Sequence, residues 1–375
     1  MWDLRYARNI LMRHNNLGIA IVGSGRMGLL RAGMAAAHPA VTYVAVSDID
    51  ADRAELVGRQ VSADRISGSN YDVISDDRVT AVIVSTSEPD HAEATIQALD
   101  LGKPVLVEKP IALTLKDADA MITASKRSGA SLHVAYSLRF NRSYIVGKQE
   151  TLDGKFGRII SGVGRIYNTK SHGLQILKRS SEATFVKDSL TYLVDLFNWY
   201  MDDAHPVEVI ARANGMAYRD LGYDTDDATW AIITYSNGSL VNIGINYALP
   251  ANYPTHGRLM RMEIIGDKGT ILFDHDHLQN IVHSEEGMTH GYVGHKMEHG
   301  LLTSNASGNK ALGSFWGPLG DETRSWLDYL STGTPCPHST AEQARTTLEL
   351  TAAIEIAARE KRPVTLPLGI GTPGI

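Results

Sequence analysis

Leu17-Gly18-Ile19-Ala20-Ile21-Val22-Gly23-Ser24-Gly25-Arg26-Met27-Gly28 decides how the first half of this 375-residue chain folds. An apolar run ends in a glycine-spaced loop, and Leu29 to Ala37 continues with helical character. A strand feeding a helix through such a loop is a dinucleotide-binding unit. Gly23 permits the tight turn, Gly25 lets the backbone approach a pyrophosphate, and Gly28 allows close helix–strand packing. With Ser24, Arg26 and Met27 these residues bring the unpaired N–H groups and partial positive charge of a helix start to the phosphates. Asp48 stands 20 residues beyond Gly28, just after the next apolar run, Thr42 to Val46. A carboxylate there accepts hydrogen bonds from both ribose hydroxyls and repels a 2′-phosphate, so NAD is expected ahead of NADP. Arg53 is near enough to tolerate a phosphate, and Asp48 can alternatively cap the helix that follows.

Outward from this loop the pattern repeats. Ala81–Ser85, Pro104–Val107 and Ser131–Ala135 read as buried strands, separated by helical segments at His91–Leu99 and Leu115–Ser128. Continuous apolar runs alternating with helices predict a parallel sheet covered on both faces. Composition bounds the rest. A hydrophobic content of 43% with 21% charged residues is that of a folded globular protein, and the length suits two domains. No apolar stretch approaches the roughly 18 residues of a membrane-spanning helix. With 36 Lys+Arg against 42 Asp+Glu, the net charge of −6 argues against a nucleic-acid binder. The single cysteine, Cys336, excludes an internal disulfide framework and a cysteine-based zinc site, and its loop offers no base partner. The arm 1–16 carries Arg5, Arg8 and Arg13 with scattered apolar residues, which is no secretory signal; a cytoplasmic protein is expected.

Beyond Gly157 the period changes. Val241, Ile243, Ile245 and Tyr247 alternate with Leu240, Asn242, Gly244 and Asn246, and Met260, Met262 and Ile264 alternate with Arg261 and Glu263. Turns at Ser236-Asn237-Gly238 and Gly266-Asp267-Lys268-Gly269 link such strands into hairpins. The expected fold class is therefore α/β: an N-terminal Rossmann parallel sheet (17–137), then an α+β domain with an open, mainly antiparallel sheet (138–313). C-terminal helices (314–375) follow, the second opened by a capping box at Ser339-Thr340-Ala341-Glu342. Arg165, Lys170, Lys178, Arg179 and Lys187 read as a basic loop, either solvated or binding an anionic substrate group. Six histidines, His275, His277, His283, His290, His295 and His299, fall in a glycine-rich stretch read as a long surface excursion. His295 and His299 have a spacing that holds a metal only in a helix, which those glycines disfavour; no metal is expected.

Val105-Leu106-Val107-Glu108-Lys109-Pro110 ends another strand, preceded by Ser85-Thr86-Ser87-Glu88-Pro89-Asp90-His91 and followed by Tyr136-Ser137-Leu138-Arg139-Phe140. With the glycine loop, this order resembles the Gfo/Idh/MocA family of glucose–fructose oxidoreductases and inositol dehydrogenases. The resemblance implies nicotinamide-dependent chemistry on a sugar, cyclitol or related diol, with a second-domain sheet that forms a homodimer or homotetramer. It also implies cofactor contacts at Ser85, Thr86, His91, Glu108 and Lys109, and substrate contacts at Lys109 and Arg139. His172, in the basic stretch, reads either as a substrate contact or as a structural histidine. The residues support a site independently. A parallel strand's C-terminus faces the ligand crevice, where the Lys109 charge favours a developing alkoxide.

Asp188 to Trp199 reads as one helix, with Asp188, Tyr192 and Asp195 on one face at i, i+4 and i+7. In inositol-dehydrogenase-like relatives the matching stretch carries an aspartate and, four residues on, a histidine acting as general acid/base. Asp188 matches the aspartate, Asp195 matches a second family carboxylate, and Tyr192 stands in the histidine's place. A tyrosine is a weak base at neutral pH unless an adjacent ammonium lowers its pKa, a part Lys109 can take. Otherwise Tyr192 only packs or binds substrate, and Lys109, Asp188 or a histidine moves the proton. The expected activity is oxidation of a secondary hydroxyl with hydride passing to nicotinamide C4, Lys109, Tyr192 and Asp188 being catalytic. The same fold also hosts glycosidases acting by transient oxidation, and non-catalytic dinucleotide-binding regulators.

Overall fold

The computed structural model describes residues 16–179, 184–255, 257–275, 281–289, 296–301, 308–311 and 314–369. The basic N-terminal arm thus falls outside the described residues, apart from Asn16. The chain divides into two compact units, 1–140 with 310–345 and 141–309 with 346–375.

The first unit runs β1 (Leu17–Val22), α1 (Arg26–Ala36), β2 (Val41–Ser47), α2 (Ala51–Val61), β3 (Arg65–Ser67), α3 (Asn70–Ile74), β4 (Ala81–Val84), α4 (His91–Asp100), β5 (Val105–Glu108), α5 (Leu115–Ser128) and β6 (Leu132–Ala135). Six parallel strands lie in the order β3-β2-β1-β4-β5-β6, the doubly wound arrangement. The apolar runs that predicted strands are buried along their whole length in β1 and β4, as covering on both faces requires. β3 escaped prediction because it is three residues long and half-buried throughout. Local chemistry sets the helix ends: in α5, Thr114 accepts from the Asp117 N–H, and Gly129 closes the last turn at φ 75°.

The second unit contains α6 (Arg142–Leu152), β7 (Ile159–Thr169), α7 (Lys170–Arg179), a π-helical turn (Val186–Leu190), α8 (Thr191–Tyr200), β8 (Pro206–Asn214), β9 (Ala228–Tyr235), β10 (Leu240–Leu249), β11 (Leu259–Gly266), β12 (Thr270–Asp274), β13 (Ile281–Thr289) and β14 (Lys296–Leu301). β15 (Asn309–Ala311) and β16 (Ser314–Trp316) make a two-stranded ribbon, and α9 (Pro318–Thr332), β17 (Ser339–Thr340), α10 (Ala341–Glu360) and β18 (Val364–Thr365) complete the chain. β17 pairs antiparallel with β6, and the division between units falls within α10.

The large second sheet has the order β12-β11-β7-β10-β9-β8-β18, antiparallel except where β10 lies parallel to β7. Its inner face buries Ile166, Val241, Ile243, Ile245, Met260, Met262 and Ile264. A Cβ on Gly162 or Gly164 would stand 2.4 or 2.9 Å from the Phe197 ring, so these two glycines let α8 lie close on β7. The other face keeps Val163, Trp230, Ile232, Ile265 and Leu272 exposed.

Three local expectations change. The capping box sits one residue later: Thr340 Oγ1 accepts from the Gln343 N–H, while the Thr340 N–H donates to Gln343 Oε1. The basic stretch is no loop: Arg165 lies in β7, Lys170, Lys178 and Arg179 in α7, and Lys187 in the π turn, paired with Glu355 at 3.6 Å. Within the histidine-rich stretch, His283 and His299 pair directly across the β13–β14 hairpin, whereas His277, His290 and His295 lie outside the described residues.

Candidate active site

Strand register assembles the first group of residues. Val22 pairs with Ser47 on one side and Val84 on the other, and Val84 pairs with Val107. The next residues, Asp48, Gly23, Ser85 and Glu108, therefore form one row along the carboxyl edge of the sheet. This edge, where strand order reverses between β1 and β4, is where open α/β sheets take ligands. Gly23 adopts φ 92°, and a Cβ there would meet the Ser85 carbonyl carbon at 2.6 Å. A Cβ on Gly28 would come within 1.9 Å of the Gly23 carbonyl oxygen. Gly25 differs: its φ of −71° suits any residue, and a Cβ would find nothing within 4 Å. Packing demands Gly23 and Gly28; only space kept above the loop accounts for Gly25.

The rest of the row fits a dinucleotide. Gly25 at the start of α1 offers no capping side chain and the first turn carries no acid, the arrangement that suits an anion at a helix start. Arg26 is exposed and Met27 half-buried beside them. Asp48 Oδ2 accepts from the Ser24 N–H at 2.8 Å and Oδ1 from the Asp50 N–H at 2.9 Å, holding a nearly buried carboxylate at the end of β2. Asp50, not Asp48, caps α2, accepting from the Arg53 N–H at 3.2 Å, and the Arg53 guanidinium is engaged with Asp50. Ser85 Oγ is buried without a hydrogen-bond partner among the described residues, and Thr86 is half-buried next to it.

The Glu108-Lys109-Pro110 turn follows β5, with a cis peptide between Lys109 and Pro110. Lys109 is half-buried. His91, buried at the start of α4, donates from Nδ1 to the Pro110 carbonyl at 2.9 Å, and burial pushes its pKa down, leaving the ring neutral. Glu108 Oε1 accepts from Arg31 Nε at 2.8 Å. Arg139, in a short turn after β6, is buried and donates to Gln343 Oε1 at 2.8 Å.

A second polar cluster lies in the other unit, at one end of the inner sheet face. Asp188 does not share an α-helix with Tyr192 and Asp195. It sits in the π turn, where the Thr191 N–H reaches back to the Val186 carbonyl, and the wider turn breaks the i, i+4, i+7 face expected of a single helix. Ser189 Oγ donates to Asp188 Oδ2 at 3.0 Å and lies 2.6 Å from the Tyr247 hydroxyl, which itself reaches Asp188 Oδ2 at 3.3 Å. His172 Nδ1 lies 3.1 Å from Asn168 Oδ1, and both residues are buried. The His172 ring packs 5.8 Å from that of Tyr247, which is stacked on Phe185 at 4.0 Å. Burial and the Asp188 charge push the Tyr247 phenol far up, so it serves as a neutral donor. Tyr192 is nearly buried in the first turn of α8, with the Arg258 guanidinium 4.7 Å from its ring centroid; Asp195 is wholly buried.

Two family models match these units. One, the oxidoreductase family with an NAD-binding Rossmann fold, covers residues 17–136; the other, the GFO/IDH/MocA C-terminal domain, covers 144–272. The chain belongs to the Gfo/Idh/MocA oxidoreductase family. Residues 17–136 are its NAD-binding Rossmann domain. Among curated relatives, the scyllo-inositol 2-dehydrogenase (NAD(+)) of Bacillus subtilis is 26% identical over 254 residues, 67% of this chain and 72% of that protein. The myo-inositol 2-dehydrogenase of Thermotoga maritima is 24% identical over 94% of this chain and 99% of its own length. The fold matches the crystal structure of Lactobacillus casei scyllo-inositol dehydrogenase with bound NAD(H) and scyllo-inositol, with a TM-score of 0.78 at 18% identity over 93% of this chain and 99% of that one.

Within the family frame, residues unforeseen from sequence surround those that were. Asn168, Tyr247 and Arg258 join Asp188 and Tyr192 only because sheet register brings β7, β10 and the start of β11 together. Arg31 carried one readable signal, a charge inside a helix otherwise built to be buried. Among the described residues, no group of three or more His, Cys, Asp or Glu side chains is placed to hold a metal ion, and no helix is long and apolar enough to cross a membrane.

Proposed function

We propose that this chain is an NAD-dependent dehydrogenase that oxidises a secondary hydroxyl of a sugar or inositol-like cyclitol to the ketone. The observation that carries the reading is the Glu108-Lys109-Pro110 turn on the same sheet edge as the Gly23–Gly28 loop. The inositol dehydrogenases among the relatives support the substrate class. Gly23, Ser24, Gly25, Arg26, Met27 and Gly28 would hold the pyrophosphate, Asp48 the ribose, and Ser85 and Thr86 the adjoining edge. NAD, when bound, supplies the hydride acceptor. Lys109 holds the substrate oxygen and stabilises negative charge developing on it. Tyr192, acting in its phenolate form, receives the hydroxyl proton and becomes the neutral phenol, with Arg258 laying positive charge against its ring. Asp188, fixed by Ser189 and Tyr247, accepts hydrogen bonds from neighbouring hydroxyls of a polyol, and His172, beside Asn168 and Tyr247, contacts the same substrate.

The row Leu272, Glu263, Val163, Asn242, Ile232 and Ile210 is consecutive in strand register, and its four aliphatic members are exposed, which supports a homodimer or homotetramer formed through this sheet face. One cysteine in the whole chain suits a cytoplasmic setting. Lys109→Ala tests the mechanism: turnover should fall at least about 100-fold, the scale of lost acid–base and electrostatic help. Near-normal turnover would remove Lys109 from it.

A further inference from the structure

The geometry points to Arg31 as a positioning residue that sets where Lys109 stands, an inference resting on the role proposed for that lysine. Arg31 projects from α1, three residues beyond Gly28, and is fully buried. Its guanidinium holds three partners at once: Nε donates to Glu108 Oε1 at 2.8 Å, Nη2 to Glu322 Oε2 at 2.6 Å, and Nη1 to Thr323 Oγ1 at 2.6 Å. Glu322 and Thr323, both in α9, are also fully buried. One cation thus joins the helix that starts at the nucleotide loop, the end of β5 and the C-terminal helix α9. The flanking carboxylates more than offset burial and push the guanidinium pKa further up, so its charge is permanent.

Stability alone is a poor reason for such a network. A buried ionic triad is often matched or bettered by well-packed apolar side chains, since desolvation consumes most of the Coulombic gain. What the apolar alternative lacks is direction. A planar fork fixes a carboxylate in angle as well as distance. Glu108 immediately precedes Lys109, so fixing the Glu108 side chain fixes the peptide from which Lys109 springs. On the other flank the buried His91 imidazole holds the Pro110 carbonyl at 2.9 Å. Lys109 is bracketed between two anchored neighbours, and both anchors reach it through the turn.

The test compares Arg31→Lys and Glu322→Gln with the wild type, the second guarding against misfolding of the first. A lysine keeps the charge but cannot hold Glu108, Glu322 and Thr323 together. In folded protein of either variant, kcat for the best polyol should fall about 10- to 100-fold, the cost of displacing a catalytic group by about 1 Å, while the NADH Kd stays within about 2-fold (RT ln 2 ≈ 0.4 kcal/mol). Amides of Glu108, Lys109 and Ile111 should exchange with solvent at least about 10-fold faster than in the wild type, the rest of β5 being unchanged. Exchange needs no substrate, so the clamp is judged even if no polyol is turned over, and wild-type turnover separately judges the dehydrogenase reading. Wild-type kcat and wild-type exchange in a folded variant would overturn the inference. So would a kcat loss that merely follows lost NADH affinity or lost folded protein.

Discussion

The three loop glycines separate a folding requirement from a binding requirement. A methyl group on Gly28 would lie 1.9 Å from a backbone oxygen, a clash that no rotamer relieves. Overpacking against backbone costs about 3 kcal/mol, and at about 2–4 °C per kcal/mol for units of this size the melting temperature of Gly28→Ala should drop by about 6–12 °C. At Gly25 the backbone is extended, with φ −71° and ψ −168°, and the methyl meets nothing. Replacing a glycine at a helix start by alanine costs about 0.5–1 kcal/mol, so Gly25→Ala should melt within about 4 °C of the wild type. Its methyl would nonetheless occupy the space from which backbone N–H groups reach the pyrophosphate. Losing one or two hydrogen bonds to charged oxygens, each about 1.5–3 kcal/mol, weakens binding at least about 10-fold. Thermal melts and NADH fluorescence titration of the two variants read both quantities. Wild-type NADH affinity in Gly25→Ala would refute the reasoning, and so would a melting loss as large as that of Gly28→Ala.

Burial holds the His133 pKa at about 4, against 6.5 for a free imidazole, and pushes His338 far down as well. The unfolded chain therefore binds more protons between those limits, and stability falls as pH drops below about 6.5, the His133 contribution being fully lost near 4. At about 1.4 kcal/mol per pH unit this loss reaches about 3.5 kcal/mol near pH 4 and about 2 kcal/mol at pH 5; urea unfolding at pH 7 and pH 5 should show a gap that narrows in His133→Gln, and an unchanged gap would count against it. If the proposed oligomer forms through the outer face of the second sheet, Ile232→Glu should dissociate it, as read by sedimentation equilibrium, with little change in melting temperature of the separated chains. An unaltered assembly would move the interface elsewhere.

Much of the first unit is legible in sequence because its signals are local. An apolar run, a glycine loop and a helix within Leu17 to Ala36 need no distant partner to be recognised, and α5 carries both its threonine cap and its glycine stop. β3 is too short to show a period. The π turn at Val186–Leu190 was hidden for a different reason: residue spacing assumes a uniform helix, and nothing in Val-Lys-Asp-Ser-Leu signals a wider turn. Ser339 and Thr340 are equally good caps by type, and only the reciprocal bonds between Thr340 and Gln343 mark Thr340 as the helix start. The polar network around Asp188 was illegible because its members are far apart in sequence, Asn168 and Tyr247 being joined through the parallel pairing of β7 with β10. Arg31 and Glu322, 291 residues apart, are coupled in the same long-range way.

As proposed, this chain moves reducing equivalents from a polyol to NAD. The most direct measurement is NADH absorbance on mixing the protein with NAD at alkaline pH and a panel of inositols, free sugars, glycosides and diol acids. Substrate-dependent NADH formation, stoichiometric with ketone, is expected from a cyclitol or sugar. Loss of a glycoside without net NADH, or binding of NAD with no turnover across the panel, would contradict it.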